Sequence, residues 1–189
     1  MSKTVTETET NRENFIFQFD LVDVMRLTMF GTIIAILKNV LRTPMHLPGH
    51  TSIYWMGILV LGKGLIPKFG SGALMGLVSG IVAVILGSGK EGVFVFFKYF
   101  VPGLLLDFLA IMFFYKLESP WVGAICGALI SLSKMVVNLI LGLALDLPMV
   151  FLTIGLGFSS VSHVIFGAAG GAIAAVLIKR LKPRLLSWD

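Results

Sequence analysis

Charge is scarce in this 189-residue chain: Asp, Glu, Lys and Arg together make up 13%, against roughly 25% in an ordinary soluble domain. Hydrophobic residues make up 57% and the mean hydropathy is +0.95, so too little polar surface remains to cover one aqueous core. That excludes a soluble globular enzyme, a disordered chain and a secreted disulfide scaffold. Cysteine is nearly absent as well. Cys126 stands alone in an apolar stretch, which excludes an intrachain disulfide, and no zinc-type Cys/His spacing exists. There is no His-Glu-x-x-His, no Gly-x-Ser-x-Gly and no nucleotide-binding loop. Asp107 has no second intramembrane aspartate to work with, and no chain of acidic relays suggests proton coupling. Neither a catalytic centre nor an ATP site is legible. No duplicated half points to an inverted repeat.

What is present is apolar runs. A bilayer core of about 30 Å needs roughly 20 mostly apolar residues per helix. Six runs answer that description: Asp23 to Leu41, Thr51 to Ile66, Phe69 to Gly87, Glu91 to Tyr115, Ser119 to Leu145, and one within Leu147 to Ile178. The last ends at the basic cluster Lys179, Arg180, Lys182 and Arg184. The expected fold is an all-α membrane protein, a compact bundle of six transmembrane helices over residues 23–182. Residues 1–22 are polar and acidic, unlike a secretory signal, and are expected to form a cytoplasmic tail, as are residues 183–189. The net charge of +5 suits cationic loops beside an anionic leaflet better than a nucleic-acid partner.

Loop charge sets the orientation. With the N-terminus inside, ten basic residues fall on the cytoplasmic side against Lys38, Arg42 and Lys90 outside. The positive-inside rule therefore places both termini in the cytoplasm. The one long connection, Arg42 to His50, holds two prolines, a glycine and two of the three histidines, and reads as a structured external loop. Small residues recur every fourth position as Gly72-Gly76-Gly80, Gly123-Gly127-Ser131 and Gly167-Gly171-Ala175. Such faces let helix backbones approach closely in lipid.

Ionisable groups within membrane segments are costly, and so are candidates for function. The topology gathers Lys98, Lys134, Asn138, Ser159 and His163 in the outer half, below His46 and His50 of the loop and beside Tyr54 and Trp55. Two lysines without a nearby acid call for a counter-charge, which a ligand carboxylate or phosphate would supply. Tyr54 and Trp55 would stack on or cover that ligand, Lys98 and Lys134 would offset its charge, and Asn138 and His163 would hydrogen-bond it. A structural alternative pairs Asp107 with Lys134 and lets Lys98 reach outward. A metal alternative uses His46, His50 and His163, since imidazole suits nickel, cobalt, copper or zinc, but the lysines would repel a dication.

The stretch Gly62-Lys-Gly-Leu-Ile-Pro-Lys-Phe-Gly-Ser-Gly-Ala-Leu-Met-Gly-Leu-Val-Ser-Gly80 resembles the turn between helices two and three and the glycine-rich third helix of the substrate-binding S components of energy-coupling-factor (ECF) transporters. Tyr99 to Asp107 and His163 to Gly171 are similar too, and the likeness covers about residues 24–182. The resemblance implies a subunit without cofactor or ATP site, which captures a vitamin, a precursor or a metal ion from outside. Arg42 to His50 would be its gate. Delivery would depend on a transmembrane T component and two cytoplasmic ATPases, in a prokaryotic plasma membrane and its lipid. Gly31 and Ala35 stand where the family carries a small-residue pair that packs against the T component. Met45-His46 is similar to the Met-His start of nickel and cobalt S components, but there the histidine lies beside the free N-terminus, and here it is internal. The expected ligand is therefore a small organic micronutrient with an acidic group. A transition-metal S component and a non-transporting membrane scaffold are the alternatives.

Overall fold

The computed structural model describes residues 19–41, 51–88, 92–144 and 149–185, except the side chains of 149–159 and 184–185. The protein is an all-α membrane protein. Its helices are α1 (Leu21–Val40), α2 (Thr51–Leu65), α3 (Ser71–Ile85), α4 (Phe97–Met112), α5 (Pro120–Ala144) and α6 (Met149–Leu185), with a 3-10 turn, Gly92–Phe96, leading into α4. Three stretches are long and apolar enough to cross a bilayer: Gly92–Met112, Pro120–Ala144 and Ser160–Pro183. The six expected runs and the observed helices agree within a few residues at most ends. The last helix departs furthest, running through the basic cluster and past Pro183 to Leu185.

Packing closes the helices into a ring in the spatial order α1, α3, α4, α5, α6, α2, and α2 touches every other helix. That central position explains a short helix buried along most of its length, including Trp55, Met56, Leu59, Val60 and Lys63. The expected small-residue faces are packing seams. Gly72 and Gly76 of α3 face the backbone of Gly103, Tyr99 and Phe100 on α4, where an added Cβ would meet the Gly103 carbonyl at 2.5 Å. Gly123 and Gly127 of α5 face Gly171 and Gly167 of α6. Without a hydrophobic drive between helices in lipid, close backbone approach is what holds such pairs. In α1, the Thr28 and Thr32 hydroxyls each donate to a carbonyl one turn earlier, at 2.7 and 2.8 Å, leaving no hydroxyl to be met by lipid.

The start of α1 and the end of α6 lie at one end of the bundle, the near end. There the Lys68 ammonium, in the α2–α3 turn, donates to Asp23 of α1 at 2.6 Å, and Lys182 of α6 donates to Glu118 of the α4–α5 turn at 2.5 Å. Donating to the Asp23 carboxylate holds the Lys68 ammonium above the ordinary lysine pKa.

Candidate functional site

Two groups of charge occupy the two ends. Near-end chemistry centres on Asp107, whose carboxylate accepts from Lys63 Nζ at 2.5 Å and from the amides of Gly72 at 3.0 Å and Ala73 at 2.8 Å. It thereby caps the N-terminus of α3, where four amides lack intrahelical partners. Lys63 also donates to the Lys68 carbonyl at 2.8 Å and sits 5.2 Å from the centre of the Tyr115 ring. The structural alternative of an Asp107–Lys134 bridge is corrected here. Lys63 belongs to the last turn of α2, is fully buried, and is itself the partner of Asp107. This saturated cluster is a structural clasp joining α2, α3 and α4.

The far end is built differently. Trp55 of α2 and Tyr99 of α4 are each 1% exposed and meet at a tilt, ring centres 5.9 Å apart. Lys38 of α1 places its ammonium 4.0 Å from the Tyr99 ring centre and 5.5 Å from that of Trp55. Lys134 of α5 lies 5.4 Å from the Trp55 ring centre and is 7% exposed. Lys98 stands next to Tyr99 in the first turn of α4. Two cations from two helices, Lys38 and Lys134, thus meet one aromatic pair. Ring faces attract ammonium groups. Among the described residues the acids are Asp20, Asp23, Asp107 and Glu118, all engaged or placed at the near end.

Buried polar atoms without a partner mark the same half. They include Trp55 Nε1, the Ser52 hydroxyl one turn away on α2, and Asn138 Oδ1 one turn beyond Lys134 on α5. The Ser131 hydroxyl, deeper in the bundle, is another. Each unmet buried group costs about 1–3 kcal/mol, so a polar ligand that meets them would recover that cost. His163 is 8% exposed on α6, and the antiparallel register set by Gly127 and Gly167 carries it opposite Ser131. Pro102 lacks the amide that would have bonded the Lys98 carbonyl, which loosens α4 beside the site.

The expected set is only partly assembled. Trp55, Lys98, Lys134 and Asn138 share the far end, and His163 lies below them. Tyr54 is 48% exposed and turns away from Trp55, because neighbours on a helix differ by about 100°. His46 and His50 lie outside the described residues, as does the side chain of Ser159. No group of three or more His, Cys, Asp or Glu that would hold a metal exists among the described residues. Gly31 and Ala35 are buried inside the bundle: a Cβ on Gly31 would meet the Met75 carbonyl and Val78 at 2.9 Å. Their face is occupied by α3, which leaves no room there for the expected T-component contact.

Sequence reasoning missed Lys38, Tyr99 and Ser52. Lys38 sits three residues before the end of its apolar run and read as an interfacial lysine. Ser52 and Trp55 do stand at the i, i+3 spacing of one helix face, a usable signal for the hydroxyl.

An apolar bundle of six helices, three of them long and apolar enough to cross a bilayer, defines the class as a membrane protein. Residues 23–133 match the family model of the ABC-type cobalt transport system, permease component. The match spans more than half of the chain, which therefore belongs to that family. No match was found among curated proteins or among solved structures. The protein is thus a membrane component of an ABC-type transporter.

Proposed function

We propose that this chain is the substrate-capturing S component of an ECF-type ABC importer and takes a small organic anion at the far end. The observation that carries this reading is the burial of Lys134 beside Trp55, with Lys38 over the Trp55 and Tyr99 rings and the described acids at the other end. An anion entering there would supply the countercharge of buried Lys134 and accept from Trp55 Nε1 and Ser52. Asn138 Oδ1 would accept from a donor on the same molecule. An acidic vitamin or vitamin precursor has this chemistry. The far end would face outward, since basic residues crowd the near end. Both termini would be cytoplasmic, with residues 1–22 and 183–189 as tails of a 23–182 unit in a prokaryotic plasma membrane. A T component and two ATPases would drive release. The outward face of α1, where Val22, Met25, Met29, Ile33, Ile36 and Val40 are exposed, suits that T component better than the buried Gly31–Ala35 face.

A second reading takes cobalt as the substrate, because the family description names it. His46, His50 and His163 would then be the ligands. Protein purified gently in detergent without added ligand tests both by mass spectrometry for organic molecules and metals. A stoichiometric organic acid, lost in Lys38→Gln or Lys134→Gln protein, supports the anion. Stoichiometric cobalt or nickel, lost in His46→Ala or His50→Ala protein, overturns it. Normal uptake by a Lys98→Gln, Lys134→Gln double variant also removes it. A chain that binds neither and supports no uptake is a scaffold.

A further inference from the structure

The near end carries a second cationic feature, unrelated to solute capture. A cleft of about 700 Å³ opens between the α4–α5 turn and the last turns of α6, lined by Pro67, Tyr115, Lys116, Ser119, Lys179 and Lys182 among others. A neighbouring hollow of about 450 Å³ shares Lys179 and adds Arg180 and the apolar Val176. Glu118 is the acid in both linings, and it is already paired with Lys182 at 2.5 Å. Lys116, Lys179 and Arg180 therefore face the two hollows with no carboxylate of their own among the described residues.

We propose that this cleft binds the phosphate headgroup of an anionic phospholipid. Fixed cations without countercharge select an anion, and the rim selects its source. Phe114 is 83% exposed and Trp121 is 79% exposed, one on each side of Lys116 to Pro120. A tryptophan ring such as that of Trp121 sits at the level of lipid headgroups, and the exposed Phe114 ring adds an apolar rim, from which a freely dissolved anion gains nothing. The turn is held in this shape against its own preference. Phe114 and Tyr115 adopt left-handed backbone, with φ of 49° and 56°, which is strained for residues with a Cβ. The Tyr115 amide donates to the Ala110 carbonyl at 2.7 Å, and its ring rests against buried Lys63. These contacts turn Tyr115 inward as the wall of the cleft and leave Phe114 pointing out.

The test uses the full chain in nanodiscs of phosphatidylcholine with or without phosphatidylglycerol, followed by native mass spectrometry after release. The parent should retain about one phosphatidylglycerol per chain. Each basic residue near an anionic surface contributes roughly a factor of five, so Lys116→Gln with Lys179→Gln should lower retention about twenty-five-fold. Arg26→Gln, exposed at the same end but outside the cleft, should leave it unchanged. A melting temperature of the double variant equal to the parent's in phosphatidylcholine shows that the fold is intact. Equal retention in parent and double variant overturns the proposal. So does displacement of the lipid by millimolar inorganic phosphate, which makes a free anion the ligand. Retention of a partner subunit through these two lysines in place of lipid overturns it as well. None of these outcomes depends on what binds at the far end.

Discussion

Lys63 on α2 and Asp107 on α4 form an ion pair of 2.5 Å with neither side chain more than 1% exposed. Lysine and aspartate are 44 residues apart in sequence, yet their pairing lets α2, the helix that touches all the others, carry a charge into the bundle. The same carboxylate holds the amides of Gly72 and Ala73, so one side chain balances a charge and caps a helix.

Asp107→Asn should therefore destabilise the protein by about 3–5 kcal/mol, since it leaves the Lys63 ammonium buried without its partner. Pairing Lys63→Met with Asp107→Leu should recover part of that loss but not all. The α3 amides would still lack an acceptor, at about 1–3 kcal/mol. Thermal unfolding in detergent checks both. An Asp107→Asn protein as stable as the parent would remove the clasp from this account.

At the far end the sign is opposite. Lys134 is buried without a facing carboxylate among the described residues, so Lys134→Met should stabilise the empty protein by about 1–3 kcal/mol. The same change should weaken binding of an anionic ligand about tenfold to hundredfold, the weight of one hydrogen bond to a charged group. Melting without ligand and titration with it separate the two effects. Destabilisation of the empty protein would show that a countercharge is already present.

Trp55 and Tyr54 are neighbours with different fates. Trp55→Phe removes the unbonded Nε1 and should cost the empty protein little while lowering ligand affinity by about 1 kcal/mol. Tyr54→Phe should change neither. Intrinsic tryptophan fluorescence of Trp55, with Trp121 and Trp188 replaced by Phe, would follow binding directly. A Tyr54→Phe protein with impaired binding contradicts this placement.

The glycine seams differ in tolerance. Gly127→Ala drives a methyl deep into the Gly167 carbonyl, well inside van der Waals contact, and should cost about 3 kcal/mol or more. Gly57→Ala, whose Cβ would lie 3.3 Å from the Gly170 carbonyl, should cost about 1 kcal/mol. Stability and yield of the two variants in detergent give the order, and equal losses would contradict it.

The membrane class, the number of helices and their approximate ends were legible because the bilayer imposes one length and one composition on every span. The glycine spacing announced close seams, though it left open which helix met which. Lys98, Lys134, Trp55 and Asn138 could be placed at one end because span order alone sets depth. Three things depended on the tertiary structure: the partner of Asp107, the arrival of Lys38 and Tyr99 at the site, and the burial of Gly31 and Ala35. Each concerns which side of a helix faces which neighbour. Helices that are apolar all round carry little record of their orientation, since lipid and core demand the same residues. The contacts of α2 with every other helix and the ring it closes resolve that ambiguity, by close backbone packing and by the few charges that had to find one another.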